Sequence, residues 1–173
     1  MSFISGAGVV FFACRKECRE VVEAMSKYEK AYAKSYHRHG KYSVEYVKKL
    51  WEGSKTVYES TGEWPIIDVD NGICVIMDSD RYSNFFINGT DCVSCGLKGE
   101  YFWLETFNIK KGKSGAYYKN KWHFNLYGTD ADGCEMQLTK DHIIPRAAGG
   151  ADSLDNYQPM CERCNGKKAD KVA

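Results

Sequence analysis

The stretch that decides the fold runs from residue 141 to residue 165 and reads Asp141-His142-Ile143-Ile144-Pro145, a Gly149-Gly150 turn, Asn156, and Cys161-Glu162-Arg163-Cys164-Asn165. It brings a carboxylate, an imidazole, two carboxamides and a pair of thiols together within 25 residues. A second Cys-x-x-Cys pair, Cys92 and Cys95, lies upstream. Such side chains surround metal ions and act as acids and bases in proteins. The stretch therefore predicts a metal-stapled site.

The two cysteine pairs have the spacing of zinc ligands. Zinc prefers four ligands in a tetrahedron, and thiolates serve well. Four thiolates would leave no open position on the ion, which is typical of a structural site. The four ligands would be Cys92, Cys95, Cys161 and Cys164. The alternative is one redox pair with buried thiols. Because 65 residues separate the pairs, the strands between them must form an insertion that returns to its start, as a hairpin does.

Four further cysteines, Cys14, Cys18, Cys74 and Cys134, lie outside these pairs. Small buried fillers are the favoured interpretation for them. A second metal site formed by Cys14 and Cys18 with His37 and His39 is the less favoured alternative.

Composition limits the class of protein. The 173 residues suit one domain, or one small domain with an appendage, and 43% hydrophobic residues suffice for a core. Wholesale disorder is therefore not expected. No apolar run is long enough to span a bilayer, so no membrane partner is expected. No Lys or Arg precedes the mildly apolar segment 5–13, which disfavours a secretory signal. We expect a reducing, cytoplasmic setting.

Charge is unevenly distributed along the chain. The formal net charge is only +1. Basic residues outnumber acidic residues in segments 1–55 and 106–173. Acidic residues outnumber basic residues in segment 56–105. A nucleic-acid partner would therefore have to be bound by local basic faces.

Periodicity predicts two helices in the N-terminal third. Residues 14–38 show one apolar stripe, with Gly40 as the stop, and Ser43 is a candidate cap for a helix over residues 44–60. Together they would form a helical hairpin. A domain boundary is expected near residue 62, before Pro65, which separates a helical region (1–62) from the remainder (63–173).

Strands predominate after that boundary. Asp70-Asn71-Gly72 between apolar runs predicts a hairpin. Further strands are expected at residues 85–87, 100–109, 116–127 and 135–141, with turns at 111–115 and at Asp132-Gly133. A last helix is expected from Glu162 to about Asp170. The predicted fold class is α+β.

His142 and Asp141 are the candidate reactive residues. Histidine is the natural base near neutral pH, and aspartate supplies the hard oxygen ligand that Mg²⁺ prefers. Adjacent residues on a strand point to opposite faces, so the backbone must bend for both to act on one group. Because Asn165 follows Cys164 directly, a zinc site would fix the direction of its amide.

The ordered set of residues from Asp141 to Asn165 resembles the motif of the HNH endonucleases, also called ββα-metal fingers. The resemblance is strongest to the four-cysteine kind of phage recombination endonuclease VII. The resemblance covers Cys92, Cys95 and residues 138–168. It implies that His142 is the general base and that Asp141 and Asn165 bind a catalytic Mg²⁺ or Mn²⁺. It also implies that Asn156 holds the loop and orients His142, and that the four paired cysteines hold structural Zn²⁺. Asn165 replaces the last histidine of the family name.

A purely structural role for the motif is the alternative. His142 would then be a hydrogen-bonded strand histidine and Asp141 a cap. Asp-His alone is common, but the full ordered set favours the functional interpretation.

Several basic residues are candidate phosphate contacts. On a strand at 117–124, alternation would place Lys119, Lys121 and His123 on one face, which is either a DNA-binding face or an ordinary solvated one. Lys167 and Lys168 follow Asn165, where lysine is also normal for a helix end. Arg146 is a further candidate.

The favoured hypothesis is a metal-dependent DNA endonuclease of the HNH type, phage-encoded and acting in the host cytoplasm if the resemblance extends to its source. A non-catalytic zinc-stapled module that binds nucleic acid or protein is the alternative, and an RNase of the same fold is a third. The N-terminal helices would recognise DNA, restrain the nuclease, or mediate a homodimer or another protein contact.

Overall fold

A computed structural model describes residues 36–107 and 122–169. Its strands are β1 (Tyr36–Ser43), β2 (Ile66–Asp70), β3 (Ile73–Ile76), β4 (Tyr101–Phe107), β5 (His123–Thr129), β6 (Glu135–His142) and β7 (Tyr157–Cys161). Its helices are α1 (Val44–Thr61), α2 (Asp80–Asn88) and α3 (Glu162–Lys168). None of the helices in these two ranges is long and apolar enough to cross a membrane. Most of the first predicted helix and the 111–115 turn lie outside the described residues.

Five strands form one antiparallel sheet in the order β1-β4-β5-β6-β7. Strands β2 and β3 form a separate antiparallel hairpin. The mixture of helices with antiparallel sheets confirms the predicted α+β class. β6 changes partner along its length: its first residues pair with β5, and residues 138–142 pair with β7.

The core lies between one face of the sheet and the first two helices. Phe102, Leu104, Phe124 and Leu126 of the central strands are fully buried. From α1, the Trp51 ring lies 5.4 Å from that of Phe86 on α2. The buried Tyr82 hydroxyl on α2 accepts a hydrogen bond from the Phe124 backbone N–H at 3.0 Å. Burial of these large apolar side chains is the main source of the stability of the fold.

Local signals in the sequence explain several elements. Ser43 caps α1 by accepting from the Tyr46 N–H, and the helix ends at Gly62 in the left-handed conformation. Asn71 and Gly72, both at positive φ, turn the chain between β2 and β3. The predictions of helix 44–60 and of the Asn-Gly hairpin are therefore confirmed, as are the strands at 100–109 and 135–141 and the last helix.

Two predicted elements are wrong. Residues 36–38 do not end a helix, because they belong to β1, which pairs with β4 and has a bulge between Arg38 and Gly40. The predicted helical hairpin is therefore wrong for residues 36–38, which form a strand in place of the end of its first helix. Residues 85–87 belong to α2 and not to a strand: Ser79 caps that helix, and Tyr82 and Phe85 bury one helical face. Short apolar and aromatic runs occur both in strands and in buried helices, so periodicity alone does not distinguish the two.

The last three elements form a hairpin followed by a helix. β6 and β7 pair antiparallel from Leu138↔Cys161 to His142↔Tyr157. Cys161 ends β7 and is also the N-cap of α3. α3 packs back on β6 and β7. β7 is not among the strands expected from the sequence. The domain boundary near residue 62 stays a prediction.

Candidate metal centre and active site

The two cysteine pairs converge on one point. The sulfur atoms of Cys92, Cys95, Cys161 and Cys164 all lie within 4.8 Å of one another. Cys95 Sγ and Cys161 Sγ are 3.8 Å apart. Four Zn–S bonds of about 2.3 Å in a tetrahedron require sulfur–sulfur distances of about 3.8 Å. The arrangement therefore fits a tetrahedral ion with little movement.

Backbone hydrogen bonds position both pairs. The first pair lies in a tight turn, the knuckle (residues 92–97), in which Gly96 N–H donates to the Cys92 carbonyl and Cys92 N–H to that of Leu97. The Val93 N–H donates to the Pro159 carbonyl of β7 at 3.0 Å, which attaches the knuckle to the second pair. In the second pair, the Cys164 N–H donates to Cys161 Sγ.

The thiol acidities agree with a metal site. Burial acts to raise the pKa of Cys92, but N–H groups of the backbone around it lower that pKa to about 7. Burial raises the pKa of Cys161 to about 12. A thiolate at Cys161 therefore needs a neighbouring cation, which is the charge that zinc supplies.

Asp141 and Asn165 lie on the side of β6 that faces α3. Asp141 is buried, and its Oδ2 atom accepts from Gln158 Nε2 at 2.8 Å and from Lys168 Nζ at 2.6 Å. Asn165 Nδ2 donates to Thr139 Oγ1 at 2.9 Å, two residues before Asp141 on the same face. The structure thus brings the carboxylate and the carboxamide of the motif to one side of the hairpin.

His142 points to the opposite face of β6. Its ring lies edge-on to that of Tyr157, with centroids 5.0 Å apart, and Nε2 lies 2.7 Å from Asp152 Oδ1. Lys140 shares this face, because its ammonium lies over the Tyr157 ring. Asp141 and His142 therefore flank the end of β6 from two sides.

Asn156 fastens the loop that follows β6. Its Oδ1 atom accepts from the Ile144 N–H at 2.9 Å, and its Nδ2 atom donates to the carbonyls of Ile144 and Ala151 at 3.1 and 2.9 Å. Its own carbonyl accepts from the Ile143 N–H. A Cβ atom on Gly150 would overlap the Ile144 carbonyl oxygen, which explains the need for glycine there. The residues after His142 are thus tied to the residue before β7.

Comparison with known families covers this same region. Residues 122–171 match the family model of the HNH endonucleases. We call this segment, which is similar to that family, the HNH domain. The match includes Asp141, His142, Asn156 and the pair Cys161 and Cys164. Searches of curated proteins and of solved structures found no significant match.

Basic residues of the HNH domain lie on both sides of the hairpin of β6 and β7. A groove of about 490 Å³ lies between the knuckle and α3, and it is lined by Val93, Ser94, Gln158, Met160, Cys164, Lys167 and Lys168. Lys167 is exposed, whereas the Lys168 side chain is 6% exposed. On the His142 side, the exposed Arg146 pairs with Asp152 at 3.0 Å. Lys119 and Lys121 lie outside the described residues.

Several residues of the HNH domain were missed by the sequence analysis. Gln158 and Tyr157 were missed because β7 was not predicted, and cross-strand pairing is what brings them beside Asp141 and His142. Thr139 could have been found from the alternation of side chains along β6, because residues two apart on a strand lie on the same face. Asp152 lies in an irregular loop, and no local pattern indicates its contact with His142.

Proposed function

We propose that this protein is a metal-dependent endonuclease that hydrolyses phosphodiester bonds of DNA in its HNH domain. The observation that carries the proposal is the family match, which contains the whole ordered motif from Asp141 to Asn165. The convergence of the four thiols supports a structural Zn²⁺ held by Cys92, Cys95, Cys161 and Cys164. A zinc site of four cysteines is what the resemblance to the phage recombination endonuclease VII kind of HNH endonuclease implies.

In this proposal, His142 is the general base. Its Nε2 atom faces the Asp152 carboxylate, which can only accept a hydrogen bond, so Nε2 carries the proton and Nδ1 is left to receive one. The attacking water gives its proton to Nδ1 and adds to phosphorus, while the bond between phosphorus and the 3′-oxygen breaks and the leaving oxygen takes a proton from solvent water. Asn156 holds the loop beside His142 and thereby orients it. The resemblance to HNH endonucleases implies products with 5′-phosphate and 3′-hydroxyl ends.

Asp141 and Asn165 are the proposed ligands of a catalytic Mg²⁺ or Mn²⁺. A carboxylate oxygen and a carboxamide oxygen on one side of the hairpin are the hard donors that these ions prefer. When bound, such an ion supplies positive charge that stabilises the phosphate and the leaving 3′-oxygen. Gln158 holds the Asp141 carboxylate in place through its 2.8 Å hydrogen bond.

The basic residues would hold the substrate. Lys167 and Lys168 line the groove beside the knuckle, and Arg146 lies exposed on the His142 side. We assign all three to the DNA backbone, with Lys119 and Lys121 as further candidates. Each phosphate contact would make binding more sensitive to salt.

The test is nicking of supercoiled plasmid. We expect cleavage with Mg²⁺ or Mn²⁺, none with chelator, and at least a ~100-fold slower rate for His142→Ala, since general-base catalysis contributes about 10²–10⁴-fold. His39→Ala is the matched control, because His39 pairs with Asp70 outside the HNH domain and the variant should cleave normally. Cleavage by His142→Ala at the wild-type rate would refute the assignment. A panel with RNA substrates separates a DNase from an RNase.

A non-catalytic zinc-stapled module for nucleic acid or protein is the second candidate. It is favoured by one observation: Asp141 and His142 point to opposite faces of β6, and each already has a protein partner. This candidate predicts DNA or protein binding that is equal in wild type and His142→Ala, with no cleavage by either. A cytoplasmic setting stays a proposal. A homodimer or another protein partner through residues 1–62 stays a proposal.

A further inference from the structure

The Lys168 ammonium already occupies the carboxylate that we assign to the catalytic metal. We propose that Lys168 is a built-in cation that neutralises Asp141 in the metal-free protein and that a divalent ion displaces it. The inference rests on the proposed metal site. It goes beyond that site because it gives one residue control over cation affinity.

The contact between Lys168 and Asp141 is short and buried. Lys168 Nζ lies 2.6 Å from Asp141 Oδ2, and the two side chains are 6% and 9% exposed. The same ammonium donates to the backbone carbonyl of His142. Lysine side chains are rarely this buried unless they are paired. Here the long side chain folds back from the last turn of α3 to the end of β6.

Charge explains why this lysine is needed. A buried carboxylate without a partner is costly, and Gln158 offers it only a neutral amide. In the metal-free protein, the lysine provides the compensating positive charge. A divalent ion and an ammonium on one carboxylate repel each other, so the lysine must withdraw when the ion binds. Lys168 lines the groove beside the knuckle, so the withdrawn ammonium is then free for a phosphate oxygen.

Lys167 provides a matched comparison. It lies next to Lys168 on the same helix, has the same charge and lines the same groove, but it is exposed. Within the described residues, the ammonium that meets Asp141 belongs to Lys168. Replacing either lysine by methionine removes one positive charge from α3, and only one replacement frees the carboxylate.

The first experiment measures Mn²⁺ affinity by titration calorimetry of the zinc-loaded full chain. We expect Lys168→Met to bind Mn²⁺ at least 10-fold more tightly than wild type and Lys167→Met to change affinity less than 3-fold. Adding Asp141→Asn to Lys168→Met should abolish the gain. Equal affinities of the two lysine variants, or weaker binding by Lys168→Met, would overturn the proposal. Thermal melting checks folding: Mn²⁺ should raise the melting temperature of Lys168→Met more than that of wild type.

The second experiment uses wild-type protein. Amine acetylation followed by mass spectrometry reports the accessibility of each lysine. We expect Mn²⁺ to raise the labelling rate of Lys168 several-fold while that of Lys167 stays constant. No change at Lys168 would overturn displacement. Both readouts are independent of cleavage, so displacement without plasmid nicking would refute the nuclease and leave this inference standing.

Discussion

Replacing Asn156 by alanine tests the role of the loop that joins β6 to β7. The side chain makes three hydrogen bonds to backbone groups of Ile144 and Ala151 and is 9% exposed. A typical net contribution is about 1 kcal/mol per bond, and an unsatisfied buried group costs about 1–3 kcal/mol. Because Ile144 as a residue is 45% exposed, water can replace Asn156 as the partner of some of these backbone groups. We therefore expect Asn156→Ala to lose about 2–3 kcal/mol of unfolding free energy.

Urea unfolding of the zinc-loaded protein measures this loss, and amide hydrogen exchange at Ile144 locates it. Asn156→Asp should lose at least as much, because a carboxylate oxygen would replace the Nδ2 donor that faces two carbonyls. Asn88→Ala is the matched control: Asn88 also donates to backbone carbonyls, those of Leu154 and Tyr157. It should destabilise the protein without faster local exchange at Ile144.

The result that refutes this reasoning is a change in Asn156→Ala smaller than about 0.5 kcal/mol, the range of neutral surface substitutions, with unchanged exchange at Ile144. Asn156 would then be incidental to the loop, and its assignment as the residue that orients His142 would fall with it.

Three further predictions concern the metal, the turn and a buried carboxyl. Cys161→Ser should lose the zinc found by elemental analysis and melt roughly 10 °C lower or more, because structural zinc contributes directly to folding. Gly150→Ala should cost about 1–3 kcal/mol in urea unfolding through overlap with the Ile144 carbonyl, whereas Gly166→Ala, with open space inside α3, should gain up to about 1 kcal/mol. Burial raises the pKa of Glu105 above its usual value of 4.5, although Asn125 and Arg38 act to lower it. The unfolding free energy of wild type relative to Glu105→Gln should therefore fall as pH rises through the folded pKa, and a difference that grows with pH would contradict this.

Where the sequence was informative, the signal was local and chemical. Ser43 and Gly62 mark the ends of α1, Asn71-Gly72 marks the hairpin, and the spacing of the paired cysteines predicted their convergence. Each signal depends on a residue whose backbone or ligand chemistry suits one structure. Such residues can be recognised before any tertiary contact is known.

The failures have the opposite origin. β1 exists because its backbone pairs with β4 and Arg38 reaches Glu105 at 2.8 Å, a contact across 67 residues. The aromatic run at 85–87 is helical because Tyr82 and Phe85 pack on the sheet. The pairing of Lys168 with Asp141 depends on how α3 returns to β6. These features depend on partners distant in sequence, so local pattern does not indicate them.

The spacing of the two thiol pairs has a consequence for synthesis of the protein on the ribosome. Cys95 and Cys161 are separated by 66 positions, and translation proceeds at about 5–20 residues per second. Several seconds therefore pass between the synthesis of the knuckle and the synthesis of Cys161 and Cys164. Neither the four-sulfur site nor the position of α3 can be completed until Cys164 has left the exit tunnel, so a growing chain lacks the complete set of four thiols.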